Sequence, residues 1–211
     1  MPVQALLSSE SLVLHGANEI TRIERFFLDS DGTFPNNRNQ PLLLYQGVYE
    51  EARDGDGSAL LMRNGWSQPW AWGVFTYHHY HSNAWEALLC VRGEADVQFG
   101  GPSGPFLRAA VGDLVLIPPG VAHKQGASSG GFLLLGSYPV HAGCPTPHAD
   151  TVCKAPTLQQ AENIKSCPVP LHCPRWGAKP PWEGGFNRLL RKSSNGATLE
   201  PDATCVVTRE S

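Results

Sequence analysis

The sequence is poor in charged residues and has no long apolar run. Charged residues make up 17% of the 211 residues, and the formal net charge is −3, whereas about a quarter of an average soluble chain is charged. Proteins that bind nucleic acid or anionic lipid present a basic surface, which this composition does not favour. No stretch approaches the roughly 20 apolar residues of a membrane helix. The sequence therefore predicts no nucleic-acid partner and no membrane segment.

The N-terminal stretch "MPVQALLSSESLVLHG" also lacks the basic and apolar segments of a secretory leader. We therefore expect a cytoplasmic protein. Six cysteines are present, and in a cytoplasmic chain free thiols are favoured over disulfides. Cys167 and Cys173 in "CPVPLHC" would supply two of the four ligands of a zinc site, but no second Cys/His pair at zinc spacing accompanies them.

Glycine and proline are abundant, with 22 and 18 residues, and they separate short apolar runs. Between residues 72 and 139 these runs are "WGVFTYHHYH", "EALLCVRG", "EADVQFG", "PFLRAAVG", "DLVLIPPG" and "GFLLLGSYP". Short β-type runs with turns between them predict an all-β fold, either a closed barrel or a double sheet. The stretch "PLLLYQGV" predicts an earlier strand, and "EEARDGDG" predicts a solvated turn.

The change in sequence pattern along the chain predicts one domain with an arm at each end. We predict an N-terminal extension over 1–22, a barrel over 23–140 and a C-terminal arm over 141–211 that wraps the barrel. The stretch "SALLMRNGW" predicts a helix that ends at Asn64-Gly65. The stretch "LQQAENIKS" predicts one or two helical turns in the C-terminal arm.

Four side chains with metal-binding atoms stand at suggestive spacing in the predicted barrel. His79 and His81 are two residues apart, so on a strand both imidazoles point to one face, about 6.5–7 Å apart along the backbone. Glu86 follows a short turn, and Pro118-Pro119-Gly120 would end a strand and turn His123 inward. Each residue alone is more often packing or solvated surface. Only the joint spacing indicates a shared site.

Three neutral imidazoles and one carboxylate suit a divalent transition metal, namely Fe, Mn, Zn, Ni, Co or Cu. They do not suit Mg or Ca, which prefer oxygen donors. Four protein donors leave up to two positions of an octahedral ion for substrate, water or dioxygen. The donor set does not select one metal, because ion supply also decides occupancy. We therefore expect one divalent transition metal of unspecified identity.

The same residues meet a family pattern. Residues 73–93, "GVFTYHHYHSNAWEALLCVRG", resemble the first motif of the cupin superfamily, and residues 112–123, "GDLVLIPPGVAH", resemble the second. Nine specified positions all match: Gly73, His79, His81, Glu86, Gly93, Gly112, Pro118, Gly120 and His123. The pattern often continues to an Asn four residues after the last His, where this chain has Ala127. That Asn is not a ligand, so the predicted metal site is unaffected.

A narrower resemblance covers about residues 24–190 and is carried by residues 26–48, "NGW" at 64–66, "YHHYHS" at 77–82 and "AENIKSCPVP". These stretches are similar to the YjlB-like single-domain cupins. The resemblance implies a double-stranded β-helix, the cupin jelly-roll barrel, with short helical elements in the N- and C-terminal arms. It also implies a homodimer whose His79, His81, Glu86 and His123 hold the metal, with no agreed substrate.

Strand parity adds candidates for the pocket. Phe75 and Tyr77 share parity with the two histidines, and Leu88 and Cys90 share parity with Glu86. We expect Phe75, Leu88 and Cys90 to line the pocket. Tyr77 is the candidate catalytic residue for proton transfer, with barrel packing as the alternative.

Four tryptophans surround the first motif, at Trp66, Trp70, Trp72 and Trp85. They form either a core or dimer cluster, which is the favoured interpretation, or an aromatic entrance that selects an apolar substrate. Trp85 stands where the YjlB-like group often has His, which predicts an altered pocket mouth.

The favoured function is that of a metal-dependent enzyme acting on a small organic molecule. With iron it would be a dioxygenase, an interpretation that rests on family analogy. With another metal acting as a Lewis acid it would be an isomerase, decarboxylase or cyclase. A non-catalytic small-molecule-binding cupin is the alternative. A metal-free sugar-epimerase type is disfavoured because all four ligands are retained.

Overall fold

A computed structural model describes residues 5–15, 20–140 and 149–177. In chain order its elements are β1 (Leu6–His15), β2 (Ile20–Leu28), β3 (Asn37–Gln46), α1 (Glu51–Asp54), α2 (Gly57–Arg63), β4 (Trp70–Trp72), β5 (Glu86–Phe99), β6 (Phe106–Ala110), β7 (Leu114–Ile117), β8 (His123–Ser137) and α3 (Leu158–Ser166). All strand pairs among these residues are antiparallel.

The strands form one sheet in the order β1-β2-β3-β7-β5-β8-β4, and β6 pairs with the second half of β5. The long strands β5 and β8 pair along most of their length, while β7 joins the first half of β5 to β3. Sheet neighbours that lie far apart in the chain are typical of a jelly-roll barrel. The all-β prediction is therefore confirmed.

The middle strands are buried on both faces, which explains their continuous apolar runs. On β3, Leu42 and Leu44 pack in a cluster inside the barrel together with Leu88 and Phe99. The alternate residues, such as Leu43, belong to an outer cluster that α2 and the segment around Cys173 cover. A strand covered on two sides loses the apolar–polar alternation of a half-exposed strand.

Several elements differ from the sequence-based expectation. β5 is a single strand where two were predicted, and it passes through Gly93 at φ +65°, where a Cβ would lie 2.4 Å from the Ser129 carbonyl oxygen. The short helix α1 replaces the predicted turn, and it lies with α2 between β3 and β4 rather than in an N-terminal arm. The helix that was predicted to end at Asn64 is confirmed as α2.

The predicted N-terminal extension includes β1, which pairs with β2 at the edge of the sheet. The proposed boundaries of the extension, the barrel and the arm stay predictions. Residues 141–148 and 178–211, which make up much of the arm, lie outside the described residues. None of the helices in the described part of the chain is long and apolar enough to span a membrane.

Candidate metal centre

Backbone hydrogen bonds bring the two sequence motifs together. The His79 and His123 backbones form a reciprocal pair, with N···O distances of 3.2 and 2.8 Å. The Gly120 N–H donates to the His81 carbonyl oxygen at 2.8 Å, so the Pro118-Pro119-Gly120 turn is tied to the same stretch of chain. Glu86 begins β5, opposite Ile117 of β7. Two chain segments about 40 residues apart in sequence thus meet at one end of the barrel.

The four predicted ligands lie close together and are buried. The donor atoms of His79, His81 and His123 all lie within 4.8 Å of one another, close to the span of about 4.2 Å that two donors can reach at about 2.1 Å from one ion. Glu86 Oε2 lies 3.4 Å from His81 Nε2 and 3.1 Å from His123 Nε2. The structure therefore brings together all four residues that the sequence singled out.

Each imidazole is oriented through its second ring nitrogen. His79 Nδ1 lies 3.3 Å from the Tyr77 carbonyl oxygen. His81 Nδ1 lies 2.5 Å from the Asp150 carbonyl oxygen, and His123 Nδ1 lies 3.1 Å from the Val121 carbonyl oxygen. A carbonyl oxygen only accepts, so each Nδ1 carries the proton and donates. In the neutral form of each ring, Nε2 is then a lone pair, which is the arrangement that metal-binding histidines adopt.

These lone pairs need a cation. His81 Nε2 and Glu86 Oε2 are buried without a hydrogen-bond partner, although His123 Nε2 stands 3.1 Å from the same oxygen. Two acceptors at that distance repel unless a proton or a metal lies between them. A proton satisfies one such contact, whereas one divalent cation satisfies all four donors. The residues present therefore fit a divalent transition metal.

The charges of the free ligands agree with this fit. Burial opposes the charged form of Glu86, but attraction to a protonated His81 outweighs it and holds the pKa of Glu86 well below its usual value in the metal-free protein. Burial, together with repulsion from His123 and His81, lowers the pKa of His79 to about 3. A carboxylate beside a neutral imidazole is the protonation state that a metal requires.

Two residues that sequence reasoning missed support these ligands. The Tyr138 hydroxyl donates to Glu86 Oε1 at 3.2 Å, and burial followed by the Glu86 charge raises the pKa of Tyr138. Asp150 accepts from His81 Nδ1 through its carbonyl and from Ser82 through its carboxylate. No local pattern marks either residue, because Tyr138 reaches Glu86 through the non-local pairing of β8 with β5.

The cluster forms the floor of a cavity of about 470 Å³. Its lining residues are Trp70, Ala71, Trp72, Gly73, Val74, Phe75, Thr76, His79, His81, Glu86, Leu88, His123, Tyr138 and Thr151. Phe75 and Leu88 were expected there and do line the cavity. Pockets of this size in proteins hold small organic molecules.

Two expected pocket residues lie elsewhere. Tyr77 is not among the lining residues, because the chain bends at positions 76 and 77 instead of continuing a strand, and its side chain is 47% exposed and stacks on Phe75. Cys90 keeps the parity of Leu88 but lies two residues further along β5, in the cluster inside the barrel. Burial raises the pKa of the Cys90 thiol to about 11, so it is a poor nucleophile.

The four tryptophans divide between the two interpretations. Trp66 and Trp85 are buried in the outer core cluster, whereas Trp70 and Trp72 line the cavity. Trp85 therefore does not shape the pocket mouth, since it packs in the outer cluster and is not among the residues that line the cavity. Cys173 of "CPVPLHC" is buried in the same outer cluster, and the described residues place no second metal-binding group around it.

No profile of a described protein family matches the chain. The chain is 36% identical over 164 residues to the uncharacterized protein YjlB of Bacillus subtilis (strain 168), an alignment that covers 75% of this chain and 93% of that protein.

Two solved structures show remote likeness. The HEPD enzyme of Streptomyces albus, with 2-hydroxyethylphosphonate and Fe(II) bound, is 14% identical, with 58% of this chain and 22% of that chain covered and a TM-score of 0.24. YcfD, a ribosomal oxygenase from Escherichia coli in complex with cobalt and 2-oxoglutarate, is 15% identical. The match covers 66% of this chain and 42% of the YcfD chain, with a TM-score of 0.31. The chain spans less than half the length of either structure.

Proposed function

The chain belongs to the family of Bacillus subtilis YjlB, and from its buried histidine–glutamate cluster we propose a metal-dependent enzyme that acts on a small organic molecule. The proposed ligands of one divalent transition metal are His79, His81, Glu86 and His123. The observation that carries the proposal is the convergence of three imidazole lone pairs and one carboxylate oxygen at the floor of a cavity.

The metal, when bound, supplies either Lewis acidity or a place for dioxygen and substrate. The chain's own residues do the rest. Tyr138 holds Glu86 through its hydroxyl, and Val74 and Leu88 give the cavity an apolar wall that displaces water from the reacting molecule. Tyr77 remains a proposed proton-transfer residue, and its ring lies outside the cavity lining, stacked on Phe75.

Between the two chemistries we place dioxygenation first. The donor set is nitrogen-rich with a single carboxylate, and related mixed histidine–carboxylate sets hold the iron of non-heme oxygenases. An assay with Fe²⁺-loaded protein and candidate substrates, run in air and under anaerobic conditions, separates the two. Turnover that stops without dioxygen supports the dioxygenase, whereas unchanged turnover excludes it in favour of Lewis-acid isomerisation, decarboxylation or cyclisation.

Metal binding itself is tested by elemental analysis of protein purified without added metal. We expect about one transition-metal ion per chain in the natural protein and a large loss in His81→Ala, because one of four donors is removed. His172→Ala is the matched control, since His172 is exposed and outside the cluster, and it should keep the metal. Equal metal content in the natural protein and His81→Ala would contradict the proposed site.

We also keep the homodimer that the family resemblance implies as a proposal, and the cytoplasmic location stays a prediction. Sedimentation velocity of the purified chain tests the first. A single species at monomer mass across the accessible concentrations would contradict it.

A further inference from the structure

Three aromatic side chains form one wall of the cavity. Trp70, Trp72 and Phe75 come from a single stretch of chain that leads directly to His79. Trp72 is 75% exposed and Phe75 is 48% exposed. Large rings that stay in contact with water at the rim of a pocket gain free energy when another apolar surface covers them. We refer to these three residues as the aromatic wall.

The aromatic wall is fixed to the barrel and is not a loose loop. The Gln125 side-chain oxygen accepts from the Val74 N–H at 3.1 Å, and the Gln125 N–H donates to the Phe75 carbonyl oxygen at 2.9 Å. Gly73 leaves room for this contact, because a Cβ there would lie 2.5 Å from Gln125 Oε1. Both hydrogen bonds hold the residues between β4 and His79 against β8.

A second glycine makes room for the indole of the wall. A Cβ on Gly136 of β8 would lie 2.0 Å from Trp70 Cζ2, so the Trp70 ring rests directly on the Gly136 backbone. The Trp70 and Gly136 residues are also cross-strand partners. A ring held flat in this way is preorganised for contact, and preorganised surfaces lose less entropy on binding.

The wall leads from solvent to the metal-binding cluster. The Phe75 ring lies 4.9 Å from the His79 ring in an edge-to-face arrangement and stacks on Tyr77 at the same distance. Beyond it the floor is polar, with Glu86 as the one carboxylate. A divalent cation held by one carboxylate keeps a net positive charge, which favours a ligand with an anionic or ionisable oxygen.

From this arrangement we infer that the cavity takes a planar hydroxylated aromatic molecule, with its ring against Trp72 and Phe75 and its oxygen towards the histidine cluster. The orientation of the oxygen rests on the proposed function, whereas the ring site rests on the aromatic wall alone. A ring against aromatic faces binds more tightly than a saturated ring of equal size, by roughly 2- to 10-fold.

The test is an NMR titration of the full-length ¹⁵N-labelled chain loaded with Zn²⁺, which does not broaden the signals. The probes are 2-naphthol and its saturated counterpart, decahydro-2-naphthol. We expect 2-naphthol to shift the indole N–H signals of Trp70 and Trp72 and to leave those of Trp66 and Trp85 in place. Decahydro-2-naphthol should bind about 2- to 10-fold more weakly.

Substitutions identify the wall. Trp72→Ala should raise the dissociation constant for 2-naphthol about 10-fold, because a large ring contact is lost, while its metal content stays that of the natural protein. Phe106→Ala is the matched control, because Phe106 is 57% exposed but does not line the cavity. The affinity of this variant for 2-naphthol should equal that of the natural protein. Equal affinity for the two probes, or an unchanged affinity in Trp72→Ala, would overturn the inference.

Three further results bear on this inference, and the first two separate it from the proposed function. A protein that holds no metal but binds 2-naphthol at the wall would contradict the metal site and support the ring site. A metal-loaded protein whose Trp72 signal does not respond to 2-naphthol would overturn the ring site alone. A Trp72 signal that shifts with protein concentration and not with 2-naphthol would show that a second copy covers the wall, which also overturns it.

Discussion

Tyr138 and Tyr77 both lie near the proposed metal ligands, but their hydroxyl groups have different surroundings. The Tyr138 hydroxyl donates to Glu86 Oε1 inside the cavity, and its raised pKa keeps the proton in place. Tyr77 contributes its backbone carbonyl to His79, while its ring stands partly in solvent. At the scale of single residues, the structure therefore assigns the support of Glu86 to Tyr138.

We predict that Tyr138→Phe weakens metal binding about 10- to 100-fold, as is typical when the partner of a ligand is removed. The substitution leaves Glu86 Oε1 without its hydrogen bond, and a buried carboxylate oxygen without a partner is costly. Competition with a chelator measures the affinity. An affinity equal to that of the natural protein would show that Glu86 is held by other contacts.

Tyr77→Phe is the matched control, because it removes a hydroxyl from a tyrosine close by. We expect an unchanged metal affinity, since the backbone carbonyl that orients His79 remains. In the same variant, a fall in turnover at constant metal content would support the proposed proton transfer by Tyr77. Unchanged turnover would leave Tyr77 with a packing role against Phe75.

At the scale of elements, the short segment at residues 149–153 forms hydrogen bonds with the stretch of chain that carries His79 and His81. Tyr80 and Val152 form a reciprocal backbone pair at 2.9 Å in both directions. The Asp150 carboxylate accepts from the Ser82 N–H and hydroxyl, both at 2.6 Å. The Asp150 carbonyl orients His81. The placement of residues 149–153 against Tyr80, His81 and Ser82 is thus coupled to the geometry of the proposed metal centre.

We predict that Asp150→Ala lowers both the free energy of unfolding, by about 2 kcal/mol, and the affinity for metal, by at least about 10-fold. Hydrogen bonds to a charged acceptor contribute about 1.5–3 kcal/mol each, and misplacing the partner of a ligating histidine costs affinity. Urea denaturation of the metal-free protein and chelator competition measure the two effects.

Asp113→Ala provides the comparison for that variant. The Asp113 carboxylate also accepts two hydrogen bonds, here both from backbone N–H groups, of Gly47 at 2.8 Å and of Ala110 at 3.0 Å, but it contacts no residue of the cluster. We expect a similar loss of stability with the metal affinity unchanged. If both variants lost metal equally, the effect of Asp150 would be global unfolding and not positioning.

The element that carries His79 and His81 shows where sequence patterns were sufficient and where they were not. The same-face arrangement of the two histidines was predictable from their spacing and is observed. The continuous strand that was expected from residue 72 to 81 is not observed, because β4 ends at Trp72 and the chain bends before His79. The alternation of side chains expected of a strand therefore places His79 and His81 on one face but does not extend back to Tyr77. Bends of this kind produce no periodic pattern in the sequence.

At the scale of the whole molecule, the metal should contribute to stability because it binds only the folded chain. At a free ion concentration 100 times the dissociation constant the gain is about 2.7 kcal/mol. We expect the Tm to rise by about 5–10 °C when the metal-free protein is loaded, for a domain of this size. Differential scanning calorimetry with and without chelator measures the shift, and an unchanged Tm would contradict a metal held in the folded state.

The same stabilisation should depend on pH with a defined sign. Burial opposes the charge on His81, but the Glu86 carboxylate outweighs it and raises the pKa of His81 above its usual 6.5. In the metal-free fold, protons therefore compete for His81 already above that pH, and the Tm gain from metal should shrink as the pH falls from 8 towards 6. A Tm gain that grows as the pH falls would contradict this.

The sequence by itself determined the fold class and the identity of the four clustered side chains. Turn residues between short apolar runs leave few alternatives to an all-β fold, and donors of the right chemistry at fixed spacing are a local property of the chain. The tertiary structure alone decided which distant residues support them. Tyr138 and Asp150 reach the site through pairings between distant segments, and no local pattern encodes which distant residues will meet.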